Sequence, residues 1–162
     1  MPYLFDTDAI SEMLKPRPAE DYVTWLRGVP QVDQFTSAVV VGELFKGAFR
    51  SAAREKWLRR IEDEVLPLLT VLAYDAAVAR TYGEIRATLE NSGEMPGEAD
   101  LMIAATALTH GLTVVTGNLR HFQRVPGLAT VDALARARAR NESAAHLAAL
   151  GGSAPRARKP KR

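Results

Sequence analysis

The chain has 162 residues, of which 47% are hydrophobic and 25% are charged, and it contains no cysteine. This length and composition suit roughly one globular domain and exclude collagen-like, coiled-coil and wholly disordered architectures. The lack of cysteine excludes disulfide frameworks, thiolate metal sites and cysteine nucleophiles. The sequence shows no signal-peptide pattern and no run of the roughly 20 apolar residues that cross a bilayer, so we expect a cytoplasmic protein without membrane contact.

Charge divides the chain into two parts. Residues 136–162 hold eight basic side chains and one acid, whereas residues 1–135 hold 13 basic and 18 acidic side chains. We therefore predict one folded domain at 1–135 and a basic C-terminal extension at 136–162. The alanine and arginine run that ends at Arg140 predicts a helix, and the composition of 151–162 predicts disorder. The extension is interpreted equally well as a contact for a polyanion and as a passive, solvated end.

The first half of the chain is predicted to alternate strands and helices. Short apolar runs predict strands, and apolar residues at helical spacing behind capping residues predict helices. In chain order these elements are a strand at 3–5, a helix behind the acidic residues Asp6 and Asp8, a helix from Pro18 to near Gly28, a strand at 34–37, a helix at 39–50 and an exposed amphipathic helix at 52–66. Val40, Leu44 and Gly47 are predicted to line one face of the helix at 39–50, with Glu43 one residue to the side.

The second half continues the alternation. Its elements are a strand at 68–72, a helix capped by Asp75 with apolar residues at Val78, Tyr82, Ile85 and Leu89, a nearly all-apolar helix at 99–110 stopped by Gly111, a strand at 113–115 and a last strand at 128–131. This order predicts an α/β fold with a mainly parallel sheet. In such folds ligands bind in a crevice at the carboxyl ends of the strands.

Polar side chains occur where that crevice is expected. Asp6, Thr116 and Asn118 each follow a predicted strand. Asp100 lies in the first turn of the apolar helix. Taken singly, Asp6 suits a helix N-cap, Asp100 suits the positive end of a helix dipole, and Glu43 suits a solvated surface.

Taken together, the three carboxylates cannot all stay ionised unless one of them gains a proton or a cation neutralises them. Two carboxylates about 4 Å apart repel by about 4 kcal/mol at an effective dielectric constant of about 20. A divalent metal relieves this repulsion, and oxygen ligands favour Mg²⁺ or Mn²⁺. Zinc is not expected, because His110, His121 and His146 lack ligand spacing. Such a metal activates water and stabilises charge on a phosphodiester, so the sequence favours phosphodiester hydrolysis.

Four segments resemble, in the same order, the motifs of one known family. They are LFDTDAISE at 4–12, VGELFKG at 41–47, DLMIAATA at 100–107 and VVTGNLRHF at 114–122. This set resembles the pattern of PIN-domain ribonucleases and, within them, of the VapC-type toxins of toxin–antitoxin modules. The resemblance covers about residues 3–131, so the predicted domain at 1–135 is interpreted as a PIN domain.

The resemblance implies a three-layer sandwich of helices around a mainly parallel sheet. It also implies a Mg²⁺-dependent endoribonuclease, in which Mn²⁺ can substitute, with an RNA substrate, a neutralising antitoxin and a homodimeric state. Asp6 and Asp100 correspond to metal ligands. Glu43 corresponds to a ligand through water or to a base that orients the attacking water, and Thr116 and Asn118 complete the catalytic set.

Some positions depart from the family pattern. Asn118 stands in the place of a fourth acid, and His121 stands where some relatives carry an aspartate. One bound metal ion is therefore expected, and whether Asn118 binds metal or orients water is left open. Asp8 stands where asparagine is usual, and a cap on the first helix is favoured over a charge added to the site.

Thr7 and Arg86 are the candidate substrate-binding residues. Relatives often carry a basic residue at the position of Arg86, so it is interpreted either as a contact for an RNA phosphate or as a solvated helix arginine. The resemblance also implies an antitoxin groove in a region with more large apolar side chains than one helical stripe needs, whereas the sequence alone favours core or dimer contacts there. These side chains are Phe45, Phe49, Trp57 and Leu58.

Other classes fit less well. Haloacid-dehalogenase-like phosphatases share the opening Asp-x-Asp and a later threonine, but they need more downstream acids than Asp132 and Glu142, the only ones after Thr116. A Rossmann module requires a glycine-rich turn after the first strand, which is missing. Two alternatives stay open: a PIN nuclease of RNA maturation outside any toxin module, and a PIN fold that binds without catalysis.

Overall fold

The fold is described from a computed structural model, which covers residues 1–91 and 95–135. Five parallel strands form one sheet in the order β3-β2-β1-β4-β5. The strands are β1 (Tyr3–Phe5), β2 (Gln34–Ser37), β3 (Thr70–Leu72), β4 (Thr113–Val115) and β5 (Thr130–Val131). The helices in the described residues are α1 (Thr7–Met13), α2 (Glu20–Arg27), α3 (Ala38–Arg50), α4 (Arg54–Arg59), α5 (Ala76–Glu90), α6 (Glu98–His110) and α7 (Leu119–Phe122). The predicted sandwich of helices around a parallel sheet is thus confirmed.

The strand order reverses between β1 and β4, the two central strands. Phe5 of β1 pairs with Val115 of β4. Asp6 follows β1 and donates its backbone N–H to the carbonyl of Val115 at 3.1 Å, while Thr116 follows β4. A ligand crevice is expected at such a switch point, outside the carboxyl ends of the strands. The first polar residues after both central strands therefore lie side by side at this edge.

The core lies around these same two strands. Leu4, Phe5, Val114 and Val115 are fully buried, because helices cover both faces of the sheet. Helix α6 is buried almost all round, with an unbroken run of buried side chains from Ile103 to Ala107. Parallel strands covered on both faces are expected to be continuously apolar rather than alternating. The site edge is therefore built on the most rigidly packed part of the molecule.

Gly111 sets the position of α6. It has φ +64° and ends the helix in the left-handed region, where an L side chain would be strained. Thr113 starts β4 two residues later, so the end of α6 lies at the amino edge of the sheet. The 13-residue helix spans about 20 Å. Its first turn, with Asp100, is consequently carried back to the carboxyl edge.

Two helices differ in detail from the prediction. Asp6, rather than Asp8, caps α1, and Asp8 is an exposed residue of the first turn. In α3 the buried stripe is Val40, Leu44 and Ala48, and Gly47 is exposed. Steps of three and of four residues both keep to one face of an α-helix, so the spacing alone does not choose between Gly47 and Ala48.

The predicted helix at 52–66 is broken. It consists of α4, a π-helical turn at Arg60–Val65 and a 3-10 turn at Leu66–Leu68. Pro67 has no N–H and its ring collides with the preceding turn, so a regular helix cannot continue through it. Strand β3 starts at Thr70 and β5 at Thr130, each two residues later than predicted, and α7 was not predicted.

The helix predicted through Arg140 and the disordered end predicted at 151–162 lie outside the described residues. Among the residues that are described, no helix is long and apolar enough to span a membrane.

Candidate active site

Asp6 is the most deeply buried acidic side chain among the described residues, at 4% exposure. Its carboxylate accepts hydrogen bonds from the backbone N–H of Ala9, at 2.9 Å, and from the hydroxyl of Thr116. Burial removes water from the carboxylate and raises its pKa from 3.8 to about 7, although these donors oppose the shift. In the described part of the chain, no basic side chain pairs with Asp6. The fold thus holds an uncompensated acid at the switch point of the sheet.

Glu43 approaches the same edge from α3. Ser37 caps this helix by accepting the N–H of Val40 at 3.2 Å, which fixes where the helix starts. Glu43 lies in the second turn, and its Oε2 accepts the hydroxyl of Thr7 at 2.5 Å. Because Thr7 directly follows Asp6, this hydrogen bond ties Glu43 to the Asp6 segment.

Asp100 is bound to the loop that follows β4. Its Oδ2 lies 2.8 Å from Nδ1 of His121, and the same nitrogen lies 2.9 Å from Nδ2 of Asn118. One ring nitrogen either donates or accepts. The carboxylate is the stronger acceptor, so we assign the proton to Nδ1, which donates to Asp100. The backbone N–H of Asn118 donates to the Thr116 hydroxyl at 2.8 Å, which links this group back to Asp6.

These contacts form one continuous chain along the carboxyl edge of the sheet. It runs from Glu43 through Thr7 to the Asp6 segment, and from there through Thr116 to the backbone of Asn118. The carbonyl of Asn118 accepts the backbone N–H of His121 at 3.2 Å, and the His121 ring reaches Asp100. Within residues 1–91 and 95–135, however, no three acidic or histidine side chains converge closely enough to hold a metal ion. Glu43 and Asp100 each turn one oxygen to an internal donor instead. The edge therefore gathers the predicted residues without assembling them into a ligand cluster.

The donor set nevertheless fits a hard cation. Asp6 is dehydrated and unpaired, its neighbour Thr116 offers a hydroxyl, and Asn118 offers an amide. Oxygen ligands of this kind suit Mg²⁺ or Mn²⁺. A cation would supply the charge that the fold does not provide for Asp6.

Arg86 lies in a different network. Its Nε donates to Glu90 at 2.9 Å and its Nη1 donates to Glu98 at 2.7 Å and to the hydroxyl of Tyr82. Tyr82 donates in turn to Glu98, and this hydrogen bond lowers the pKa of Glu98. Since Glu98 lies in the first turn of α6, Arg86 fastens that turn to α5. Its guanidinium is occupied by two carboxylates, and the predicted contact with an RNA phosphate stays a prediction.

An apolar cleft of about 320 Å³ adjoins Glu43 and Thr7, and we call it the apolar cleft. Of the four apolar residues predicted for an antitoxin groove, Trp57 lines it, Phe45 and Leu58 pack against the core, and Phe49 is exposed. The residues that line the cleft are Thr7, Ser11, Leu14, Lys15, Pro16, Glu43, Leu44, Gly47, Ala48, Trp57 and Ile61.

The sequence interpretation missed the pairing of Glu43 with Thr7 and of Asp100 with His121, for which spacing along the chain gives no signal.

Comparison with known proteins places this geometry in a family. The profile of the PIN domain matches residues 3–128. The chain is 37% identical to Ribonuclease VapC2 of Haemophilus influenzae, over 79% of this chain and 95% of the relative. It is 39% identical to the tRNA(fMet)-specific endonuclease VapC of Shigella flexneri, over 80% of this chain and 96% of the relative.

Solved structures give the same result. The crystal structure of FitAcB from Neisseria gonorrhoeae superposes with a TM-score of 0.76 at 34% identity, covering 82% of this chain and 99% of that chain. VapBC-1 from nontypeable Haemophilus influenzae superposes with a TM-score of 0.74 at 31% identity, covering 82% and 98%. The chain therefore belongs to the PIN-domain family and, within it, to the VapC-type toxins.

Proposed function

We propose that this chain is a metal-dependent endoribonuclease that acts as the toxin of a toxin–antitoxin pair. The observation that carries the proposal is Asp6, an uncompensated buried carboxylate at the switch point of a PIN-type sheet, with Glu43 and Asp100 on the same edge. Two relatives named as a ribonuclease and as a tRNA endonuclease support RNA as the substrate class. We place the activity in the cytoplasm, where cellular RNA is found.

The proposed metal is Mg²⁺, for which Mn²⁺ can substitute, held by Asp6, Asp100 and Glu43. Such an ion lowers the pKa of bound water and stabilises charge on the phosphodiester. Thr116 holds the Asp6 carboxylate by donating its hydroxyl, and Thr7 holds Glu43 in the same way. The Thr7 hydroxyl engages Oε2 of Glu43, and no other described residue is hydrogen-bonded to this carboxylate, so Oε1 would accept a proton from the attacking water. Asn118 completes the catalytic set through its amide.

We propose that the antitoxin neutralises the enzyme by covering the apolar cleft and the acidic edge beside it. Glu43 and Thr7 line the cleft, so a chain bound there excludes RNA from these residues. Structural neighbours of this chain were solved as FitAB and VapBC complexes, some of them bound to DNA. A homodimer and a single bound metal ion stay predictions.

The test is expression of the chain without its antitoxin. We expect growth arrest, and mapped cleavage ends in total RNA that are new after induction. Asp6→Asn and Asp100→Asn should each relieve the arrest while the proteins stay folded. Asp75→Asn is the matched control, because Asp75 caps α5 as Asp6 caps α1 but is exposed and follows the edge strand β3 rather than β1.

Continued arrest by both site variants would contradict the assignment of the site. RNA cleavage without growth arrest would instead indicate a maturation nuclease outside a toxin module.

A further inference from the structure

We infer that the outer end of the apolar cleft is a subsite for carboxylates of the antitoxin. The subsite is a basic shelf, which we define by Lys15, Lys56 and Arg59. This inference rests on the proposed function, because it names the charge pattern of the partner that covers the same site. The antitoxin segment would place a cation near Glu43, apolar side chains in the cleft and acids on the basic shelf.

The basic shelf is continuous with the apolar cleft. It forms one side of a second depression of about 530 Å³, lined by Lys15, Pro16, Lys56, Arg59, Arg60 and Glu64. Lys15 and Pro16 also line the apolar cleft. A chain that leaves the apolar cleft past Pro16 therefore passes directly over the basic shelf.

Two of the three cations of the basic shelf have no acidic partner among the described residues. Arg60 donates to Glu64 at 2.9 Å and Lys15 donates to Glu12 at 2.5 Å, so these two cations already have acidic partners. Lys56 and Arg59 are exposed, and within the described residues neither forms an ion pair. Two neighbouring free cations at the mouth of an apolar cleft select an anionic occupant.

Arg60 fixes the basic shelf in place. Its Nη1 donates to the carbonyl of Leu14 at 2.5 Å, which joins the end of α1 to the helix that carries Lys56 and Arg59. Its guanidinium also stacks over the ring of Trp57, 5.6 Å from the centroid. The basic shelf and the cleft wall are thus parts of one structure, and an occupant that fits one is held in register with the other.

Gly47 leaves the wall that α3 contributes to the apolar cleft without a side chain at this position. A Cβ at Gly47 would meet no atom of the protein within 4 Å, and its φ is not positive. Neither internal packing nor backbone conformation therefore requires glycine, although glycine inside a helix is destabilising. Since Gly47 lines the apolar cleft, the missing side chain leaves room for something outside the chain.

The middle of the cleft favours a peptide over RNA. Leu44, Ala48 and Ile61 form its walls, and they offer no cation to the phosphates of a strand running from Glu43 to the basic shelf. One face of the Trp57 ring is covered by Arg60, which leaves less surface for base stacking. Apolar side chains of a peptide, by contrast, pack favourably against such walls.

The test uses three synthetic peptides of about a dozen residues with the full-length chain. All three carry arginine at one end and leucine and phenylalanine in the middle. The other end carries two glutamates, two glutamines or two lysines. Binding is measured by calorimetry and by the fluorescence of Trp57, which lines the cleft. We expect the glutamate peptide to bind about fivefold more tightly than the glutamine peptide at low salt and to lose this advantage at high salt.

Charge reversal should invert the preference. In the double variant Lys56→Glu and Arg59→Glu, the lysine peptide should bind more tightly than the glutamate peptide. Arg80→Glu is the control, since Arg80 is an exposed arginine of α5 outside both depressions. Gly47→Leu should abolish binding of all three peptides, whereas Gly42→Leu should not, because Gly42 has equally open space but lies outside the cleft.

Equal binding of the three peptides, no binding of any of them, or a preference that survives charge reversal would each overturn the inference. Charge reversal that weakens RNA binding and leaves the peptide order intact would overturn it in favour of an RNA subsite. Failure of the proposed function would be distinguishable from failure of this inference. The chain would then leave RNA uncut, while the order of the three peptide affinities would still hold.

Discussion

The two best-defined carboxylates of the site are held in opposite ways. Asp6 follows the central strand, caps a helix and is almost completely buried, so the fold leaves it one position. Asp100 is carried by a helix, its side chain is 27% exposed, and its contact is to His121 in the loop after β4. One half of the site is buried and dehydrated, whereas the other half is partly exposed to solvent.

This difference indicates where the free energy of metal binding arises. At Asp6 the free-energy cost of dehydrating the carboxylate is already incurred when the protein folds. A bound cation would stabilise the charged carboxylate and so offset that cost. At Asp100 an ion would share the carboxylate with His121, whose ring contacts Oδ2. Gly97 leaves space here, since a Cβ at that position would lie only 3.2 Å from Oδ2 of Asp100.

The largest expected effect comes from removing the charge of Asp6. Asp6→Asn keeps the N-cap, because asparagine caps helices as well as aspartate does. RNA cleavage should fall by about 100-fold or more. At about 100 times its dissociation constant, the metal should stabilise the wild-type protein by about 2.7 kcal/mol and the variant much less. Melting curves with and without Mg²⁺ measure this, and an unchanged metal shift in Asp6→Asn would contradict the assigned role.

The same substitution should change the pH dependence of stability in chelator. The pKa of Asp6 is raised from 3.8 to about 7 in the folded chain, so its contribution is fully present below about pH 4 and is lost as the pH rises through about 7. Stability should therefore fall over this range by a few kcal/mol at most.

In Asp6→Asn the free energy of unfolding should fall less as the pH rises, whereas in Asp75→Asn it should fall as much as in the wild-type protein. Urea unfolding at about pH 5 and about pH 8 gives the comparison. A stability that changes equally in the wild-type protein and in Asp6→Asn between these two pH values would contradict the raised pKa of Asp6.

The buried half of the site could be predicted from the sequence, because the residues that determine it are neighbours along the chain. Buried parallel strands are continuous apolar runs, and an acid directly after such a run has one place to go. Asp6 and Thr116 were found in this way. The apolar helix behind Asp100 and its stop at Gly111 were equally visible, because glycine at a helix end and an all-apolar helix are strong signals.

The contacts of Glu43 and Asp100 could not be predicted, because they join residues far apart in the chain. Thr7 and Glu43 are 36 residues apart, and Asp100 and His121 are 21 apart. Which rotamer each side chain adopts depends on tertiary packing. The π-helical turn at Arg60–Val65 was missed for a related reason: its apolar spacing is that of an ordinary helix, and only Pro67 beyond it spoils the geometry.

An intermediate effect is expected at His121. His121→Ala removes the donor that holds Asp100 and should weaken metal affinity by about 10-fold, the lower range for residues that support a ligand. His121→Asn places an amide near the position of Nδ1 and should keep most of the affinity. The readout is the melting shift against metal concentration without RNA. Equal affinities for the two variants, or tighter binding by His121→Ala, would contradict a positioning role.

The smallest effect is expected at Arg86, whose side chain bonds to Glu90, Glu98 and Tyr82 rather than to the two site aspartates. Glu90 and Glu98 already neutralise its guanidinium, so Arg86→Gln should change RNA affinity by less than about threefold and leave its salt dependence intact. A phosphate contact by Arg86 would instead lower the slope of log affinity against log salt by about 0.7 to 0.9. Binding of RNA to Asp6→Asn, with and without Arg86→Gln, at several salt concentrations separates these outcomes, because we expect the Asp6 variant to bind RNA while cutting it at least about 100-fold more slowly, as predicted above.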